Sequence, residues 1–270
     1  MRYTGIQPQY FPRLHYFARL LDTDVFVLRD DVQYVRKHKY PNGKNDKSYQ
    51  ADTPINVSHG RHLLSIPIRD EGYSKLTETH LSEETDWVSD HLMTIKYAYS
   101  HSPNFAHLFP EITSILSMKH ESLPALTITT VTWGLLHLMD LKITDVSAQC
   151  TIEYLAEILM NQKTIRPKLI RRASQSHAVQ KLEESSADQK ILALIKEAGA
   201  DEDYCGGTAH AAYMDEALYK KHGIRIVVQD WTCQEYPQLF GHHHGFIPNL
   251  SIIDLLMNVT PEEARNILTG

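Results

Sequence analysis

Asp30 and Asp31 close a short apolar run, Val25-Phe26-Val27-Leu28, and are the residues of this sequence best placed to do chemistry. Paired carboxylates can orient a hydroxyl or amine, hold a divalent cation, or take a proton when one raises the pKa of the other. Neighbours on an extended chain point to opposite faces, so one is expected to face a cleft while the other caps a turn. Gln7, Tyr10, Gln33, Tyr34 and Lys37 are expected around the same edge. Glutamine and tyrosine suit hydroxyls and amides, and a lysine neutralises a phosphate or carboxylate. Trp87 and His91 stand four apart on an expected helix and so share a face. They offer an aromatic wall with a protonatable group, although an ordinary buried Trp–His pair fits the spacing equally well.

Other motifs carry less. Gly206-Gly207-Thr208 lies between an expected strand and helix, where backbone N–H groups could cradle an anion, but the spacing is neither the P-loop nor the dinucleotide pattern. Cys205 has no base partner identifiable in the sequence and reads as a buried structural thiol rather than a nucleophile. His242-His243-His244 lacks the helix-face spacing of HExxH and reads as fortuitous metal affinity rather than a catalytic metal centre. Neither GxSxG nor HExxH nor an HxGH-type signature occurs, which removes weight from serine hydrolases, zincins and cytidylyl-type transferases. No residues are assigned to a metal, and the pattern names no cofactor.

The elements that position these residues read as α/β. A strand at Tyr3–Gln7, a helix carrying Leu14, Phe17, Ala18 and Leu21, and the strand Val25–Leu28 form an opening βαβ unit. Parallel neighbours place both carboxyl ends at one sheet edge, where ligands of open α/β sheets bind. A long loop is expected over Tyr40–His62 and a strand over Leu63–Ile68. Ser82 is expected to cap a helix through Asp86–Tyr99, followed by helices Phe105–Met118 and Leu126–Leu138 and a strand Lys142–Ser147. Within 151–186, Lys163, Arg166, Lys168, Arg171, Arg172 and Lys181 follow one another without an acid, suggesting a basic insertion or lid. The rhythm then resumes with helix Gln189–Ala198, strand Asp203–Cys205, helix Ala211–His222 and strand Ile224–Gln229. Ser251 with Asp254, and Thr260-Pro261-Glu262-Glu263, have the form of helix starts. The expectation is one α/β domain over 1–270: a mostly parallel sheet, a helical middle region and C-terminal helices.

Composition limits the partners. The 270 residues carry 27 Lys and Arg against 33 Asp and Glu, a net charge of −6, so the broad positive field that nucleic acid or an anionic membrane requires is missing. Three widely spaced cysteines without CxxC fit a reducing compartment. The N-terminus has no apolar signal core, and Val131–Met139 is too short to span a bilayer, so a cytoplasmic protein is expected.

A family resemblance follows from two blocks. Gln7-Pro8-Gln9-Tyr10-Phe11-Pro12, Tyr16-Phe17, Asp24-Val25-Phe26-Val27 and Asp30-Asp31-Val32-Gln33-Tyr34 resemble the opening of the WbqC-like family. Tyr213-Met214-Asp215, Gln229, Tyr236-Pro237-Gln238 and Phe246-Ile247-Pro248-Asn249-Leu250-Ser251-Ile252-Ile253-Asp254-Leu255-Leu256-Met257-Asn258 resemble its close, with Trp87 and His91 in order between. The sequence departs from the pattern at Tyr40-Pro41-Asn42-Gly43-Lys44-Asn45, where Lys44 or Lys47 replaces an arginine, and at Val259, where a glycine is usual. The basic stretch and the histidine run resemble insertions.

The resemblance implies surface-polysaccharide (O-antigen) synthesis, with transfer of an acyl or aminoacyl, glycine-like group to an amino or hydroxyl acceptor on a sugar. Asp30, Asp31 and His91 would then be the catalytic candidates, and Gln7, Tyr10, Gln33, Tyr34, Lys37, Trp87, Gln229 and Gln238 the substrate-binding ones. Relatives in natural-product pathways imply an alternative, a cyclase or condensing enzyme on a carrier-bound intermediate, with the basic stretch docking an acyl carrier protein. A non-catalytic nucleotide-sugar binding protein uses the same cleft.

Overall fold

The computed structural model describes all residues except 40–44, 70–73 and 183–184. The Tyr40–Lys44 part of the atypical run therefore lies outside the described residues. Strand β1 (Arg2–Ile6) leads through α1 (Leu14–Leu21) to β2 (Val25–Leu28), whose four residues are all buried. The two strands pair in parallel from Tyr3↔Val25 to Ile6↔Leu28, as the opening βαβ pattern requires. The chain then leaves the sheet through two antiparallel pairs, β3 (Lys37–Lys39) with β4 (Asn45–Lys47) and β5 (Asp52–Val57) with β6 (Gly60–Ser65). Five helices follow: α2 (Trp87–Tyr99), α3 (Phe105–Ser117), α4 (Leu123–Leu138), α5 (Val146–Gln149) and α6 (Ile152–Asn161).

It returns as β7 (Leu169–Arg172), which pairs with β2. Helices α7 (His177–Gln180) and α8 (Ala187–Glu197) carry it across to β8 (Glu202–Cys205) on the other side of β1. Helices α9 (Gly207–Tyr213) and α10 (Glu216–Lys221) precede β9 (Arg225–Val228), and α11 (Gly241–His244), α12 (Ile252–Asn258) and α13 (Pro261–Thr269) close the chain. The resulting five-stranded sheet has the order β7-β2-β1-β8-β9 and is parallel throughout. This is a doubly wound arrangement whose strand order reverses between β1 and β8. No helix among the described residues is long and apolar enough to cross a membrane.

A larger core lies on the α1 face and runs into the helical layer; a smaller one, around Tyr3, Val25, Val27 and Ile195, lies under α8. Helix α4 is the centre of the first. It is apolar all round or carries threonines, and Thr127, Thr129 and Thr132 donate to carbonyls four residues back, which satisfies their hydroxyls in the interior. Gly134 lets α4 approach α1 closely, since a Cβ there would stand 2.6 Å from the Phe17 ring. The buried Glu111 carboxylate accepts from Trp133 Nε1 at 2.8 Å and lies 2.6 Å from His137 Nε2.

Several expectations are corrected. The loop expected over Tyr40–His62 contains the β5–β6 hairpin: every residue of β5 is buried, so polar Asp52, Thr53 and Asn56 hid the strand pattern. The helix after Ser82 is capped instead by Asp86, which accepts from Ser89 N. The strand expected at Lys142–Ser147 is absent, because Asp145 caps the short helix α5. Asp215 divides the helix expected over Ala211–His222 into α9 and α10 by capping the second. Segment 151–186, where a basic insertion or lid is expected, comprises α6, edge strand β7 and α7, and its Arg166 pairs with Asp22 and Asp24. Thr260 and Glu263 do form a capping box.

Asp254 does not complete a box with Ser251. Its fully buried carboxylate turns inward and accepts from Tyr99 Oη at 2.8 Å, Tyr236 Oη at 2.7 Å and Gln238 Nε2 at 3.1 Å. Burial raises its pKa to about 6 against the opposing hydrogen bonds. The folded state thus holds this proton more tightly than the unfolded chain does, and its contribution to stability falls as pH rises from about 4 to about 6. Chemical denaturation across that window is expected to show that component in the wild type and to lack it in Asp254→Asn. Asp254→Leu, which strands the buried hydroxyls of Tyr99 and Tyr236, is expected to cost about 2–4 kcal/mol.

Candidate functional site

The parallel pairing of β1 and β2 brings the residues after both strands to one edge, and β7 adds a third strand end beside β2. Asp30 is fully buried there. Its carboxylate accepts from Arg172 Nε at 2.7 Å, from Ser174 N at 2.8 Å and from Ser174 Oγ at 2.7 Å. These bonds join the end of β2 to the end of β7. Asp31 points elsewhere, as alternation along an extended chain demands. It accepts a two-pronged bond from Arg29, with Nε at 2.7 Å and Nη2 at 3.0 Å.

Asp31 also lines a cavity of about 180 Å³ with Lys75, Thr77, Ser174, Gln180 and Lys190. The cavity is assembled by local pairing. Leu76 N donates to Val32 O and Tyr34 N donates to Ser74 O, which lays residues 74–76 along 32–34 and brings Lys75 and Thr77 to Asp31. Helices α7 and α8 supply Gln180 and Lys190. Behind the edge, burial pushes the Asp203 carboxyl up to about 7, opposed by a hydrogen bond to Tyr219 and by the charges of Arg29 and Arg19. Arg29, Lys75, Lys190 and Asp203 had no motif to announce them; Arg172 and Ser174 were legible only as members of a basic stretch and its tail.

His91 and Tyr10 form a second cluster. Tyr10 is fully buried, and its hydroxyl lies 3.0 Å from His91 Nδ1. The His91 ring makes a backbone hydrogen bond with Ser65, and Trp87 meets it edge to face at 5.1 Å. Burial, which dominates, lowers the His91 pKa to about 4, so the ring is neutral at pH 7. Its nitrogens are thus engaged with Tyr10 and Ser65, and the cluster braces α2 against the loop after β1.

The remaining predicted binding residues are dispersed. Gln7 follows β1 half-buried, with no side-chain hydrogen bond to a described residue. Gln33 and Lys37 are exposed, whereas Tyr34 is half-buried and hydrogen-bonded to Ser48. Gln229, after β9, accepts from Arg19 Nε and Nη2 at 2.9 and 2.7 Å and donates to His15 O at 2.9 Å. Gln238 is fastened to Ile247 and Asp254, in the support of α12 rather than at the sheet edge. Burial pushes the Cys205 thiol up to about 12, in keeping with a structural thiol. The His242 and His243 rings lie 3.9 Å apart on α11, tilted by 40°, and among the described residues no group of three His, Cys, Asp or Glu could hold a metal ion.

His15, like His91, has its pKa lowered to about 4, chiefly by burial and further by the charge of Arg19. Both rings are neutral where an unfolded histidine is half charged, so their contribution to stability is complete above about 6.5 and is lost as pH falls toward 4. Imidazole resonances followed by NMR are expected to leave these two histidines neutral at pH 5.5, while the exposed His242 and His243 are monitored beside them as internal references.

The geometry can be set beside known proteins. A protein described as uncharacterized protein Rv1507c, from Mycobacterium tuberculosis (strain ATCC 25618 / H37Rv), is 26% identical over 263 residues, covering 95% of this chain and 93% of its own. No solved structure matches. The model of the WbqC-like protein family matches residues 7–266, which takes in the loop after β1, Asp30 and Asp31, the β7 end and the α12 block. The chain belongs to the WbqC-like protein family.

Proposed function

We propose that this protein is a cytoplasmic biosynthetic transferase that moves an acyl or aminoacyl group onto an amino or hydroxyl acceptor, with a sugar of surface-polysaccharide synthesis as the acceptor class. One observation carries the reading: the cavity over the ends of β2 and β7 gathers the Asp31 carboxylate, Lys75 and Lys190, and the polar side chains of Thr77, Ser174 and Gln180. Hydroxyls and an amide suit the hydroxyls of a sugar, and two lysines suit the phosphates or carboxylates that biosynthetic sugars and donors carry. In this reading Asp31 accepts a hydrogen bond from the acceptor N–H or O–H. The acceptor lone pair attacks the acyl carbon, the proton passes to the carboxylate, and the bond to the leaving group breaks with its electron pair. Arg29 holds Asp31 in place from the other side. Rate then comes from positioning and proton transfer.

Asp30 serves the same site as an anchor. Its bonds to Arg172 and Ser174 leave it committed to the framework, and they set Ser174 on the cavity wall. His91 contributes a neutral hydrogen-bonding brace in place of the second proton-transfer group expected for it. The carrier-bound alternative draws less support, because Arg166 and Arg172 of the basic stretch are spent on Asp22, Asp24 and Asp30.

The test begins with thermal unfolding of the protein against nucleotide-sugars, acyl-coenzyme A compounds and divalent metals. A stabilising nucleotide-sugar is then incubated with acyl and aminoacyl donors, and the acceptor is followed by mass spectrometry. The reading expects a mass increase of one acyl or aminoacyl group. Asp31→Asn is expected to slow it by about 10²–10⁴-fold while remaining folded by circular dichroism. Saturable binding with no turnover for any donor would instead support the non-catalytic binding protein. In a parallel denaturation experiment, Asp30→Ala is expected to lose about 1–3 kcal/mol, because it leaves the Ser174 N–H and hydroxyl and the part-exposed Arg172 without their acceptor.

A further inference from the structure

The sheet parts where its order reverses. β1 pairs with β2 through Ile6↔Leu28, and β8 pairs with β9 through Cys205↔Val228, but the β1–β8 ladder ends at Tyr3↔Asp203. Beyond it, Thr4 Oγ1 donates to Tyr204 O, satisfying a carbonyl that the ladder no longer reaches. The parting lies at the carboxyl ends of the two central strands, where the strand order reverses and an open α/β sheet takes ligands.

Arg19, on α1, extends to the residues that follow β8 and β9 on this side. Its guanidinium lies against the backbone of Gly206 so closely that a Cβ there would stand 2.6 Å from Nη2. Nε and Nη2 both donate to the single oxygen Oε1 of Gln229, which Gln229 Nε2 fixes by donating to His15 O. A neutral amide thus orients the fork without neutralising it. Among the described residues Arg19 makes no ion pair, although Asp203 and the Cys205 and Tyr204 side chains lie within its field. Arg13 adds positive charge at the same place, since it and Arg19 both act on His15, whose neutral ring contributes none. A largely buried cation is ordinarily paired with a carboxylate, and a guanidinium left with free N–H bonds on Nη1 matches an oxyanion.

We propose that Arg19 and the Gly206 backbone form an oxyanion subsite at the β1–β8 parting, which takes a phosphoryl or carboxylate group of a ligand. The subsite is separate from the Asp31 cavity and rests on no assumption about transfer chemistry there. It assigns a role to three features of the chain that the Asp31 site leaves aside: glycine at position 206, Gln229 after β9, and an arginine on the inward face of α1. A side chain at 206 would push the guanidinium aside; Gln229 is suited because a carboxylate in its place would cancel the charge.

Isothermal titration calorimetry with inorganic pyrophosphate, inorganic phosphate and malonate tests the subsite directly. The wild type is expected to bind at least one of these saturably, and the stronger of pyrophosphate or malonate tells whether the natural group is phosphoryl or carboxylate. Arg19→Met, an apolar replacement of similar length, is expected to weaken binding about thirtyfold or more. Gly206→Ala keeps the charge but pushes it aside, and is expected to weaken binding as well; it decides the matter if Arg19→Met does not fold. The double variant Lys75→Ala/Lys190→Ala, which empties the Asp31 cavity of lysine charge, is expected to lose any anion binding that belongs to that cavity and to keep the binding that Arg19→Met weakens. The proposal is overturned if the wild type binds none of the three anions at millimolar concentration. It is equally overturned if Arg19→Met and Gly206→Ala bind like the wild type, or if the lysine variant alone abolishes binding.

Discussion

The buried carboxylate of Asp30 is the interaction on which the arrangement of the sheet edge depends. It has no contact with water, and its bonds to Arg172 and to the backbone and hydroxyl of Ser174 supply the compensation that a buried charge requires. Those partners come from the far side of a long helical excursion, so the bonds extend the β2–β7 ladder, which ends at Leu28↔Arg172, by one further tie. With that edge fixed, the next residue, Asp31, is turned the other way, onto Arg29 and the cavity. One acid is consumed in building the wall and its neighbour is presented by it.

The same division between support and presentation runs through the other buried polar groups. Asp254 holds Tyr99 from α2, Tyr236 and Gln238 to α12, and Ser251 ties the start of that helix to Phe11 in the loop after β1. Leu14 N and Ile252 N complete this seam by bonding Leu250 O and Pro12 O. The opening and closing blocks of the sequence are therefore two halves of one structural unit. Tyr10 and His91 extend the unit to α2 and the β6 end, through a hydroxyl–imidazole bond that both burials keep uncharged.

Much of the framework was legible because it rests on local signals. The apolar run Val25–Leu28, the helical spacing of Leu14, Phe17 and Leu21, and the Thr260–Glu263 start all report their own structure. The placing of Asp30 and Asp31 at a strand end, and their divergence, followed from that reading. What each acid binds did not, since Arg172 lies 142 residues from Asp30 and no periodicity links them. Lys75 and Lys190 were invisible for the same reason. Asp254 misled because a Ser-x-x-Asp pattern describes an exposed helix start, whereas this one is packed beneath two tyrosines. β5 misled because burial on both faces removes the alternation that marks a strand.

In the function proposed above, the cavity beside Asp31 holds the substrate. A crystal structure determined with the nucleotide-sugar that most raises the unfolding temperature tests this most directly. Density for the sugar is expected in the cavity, with an acceptor hydroxyl or amine within hydrogen-bonding distance of Asp31 and with Ser174 and Lys190 in contact. Density for the sugar against the Tyr10–His91 cluster or among the helices of the middle region, with the Asp31 cavity holding only water, would contradict it.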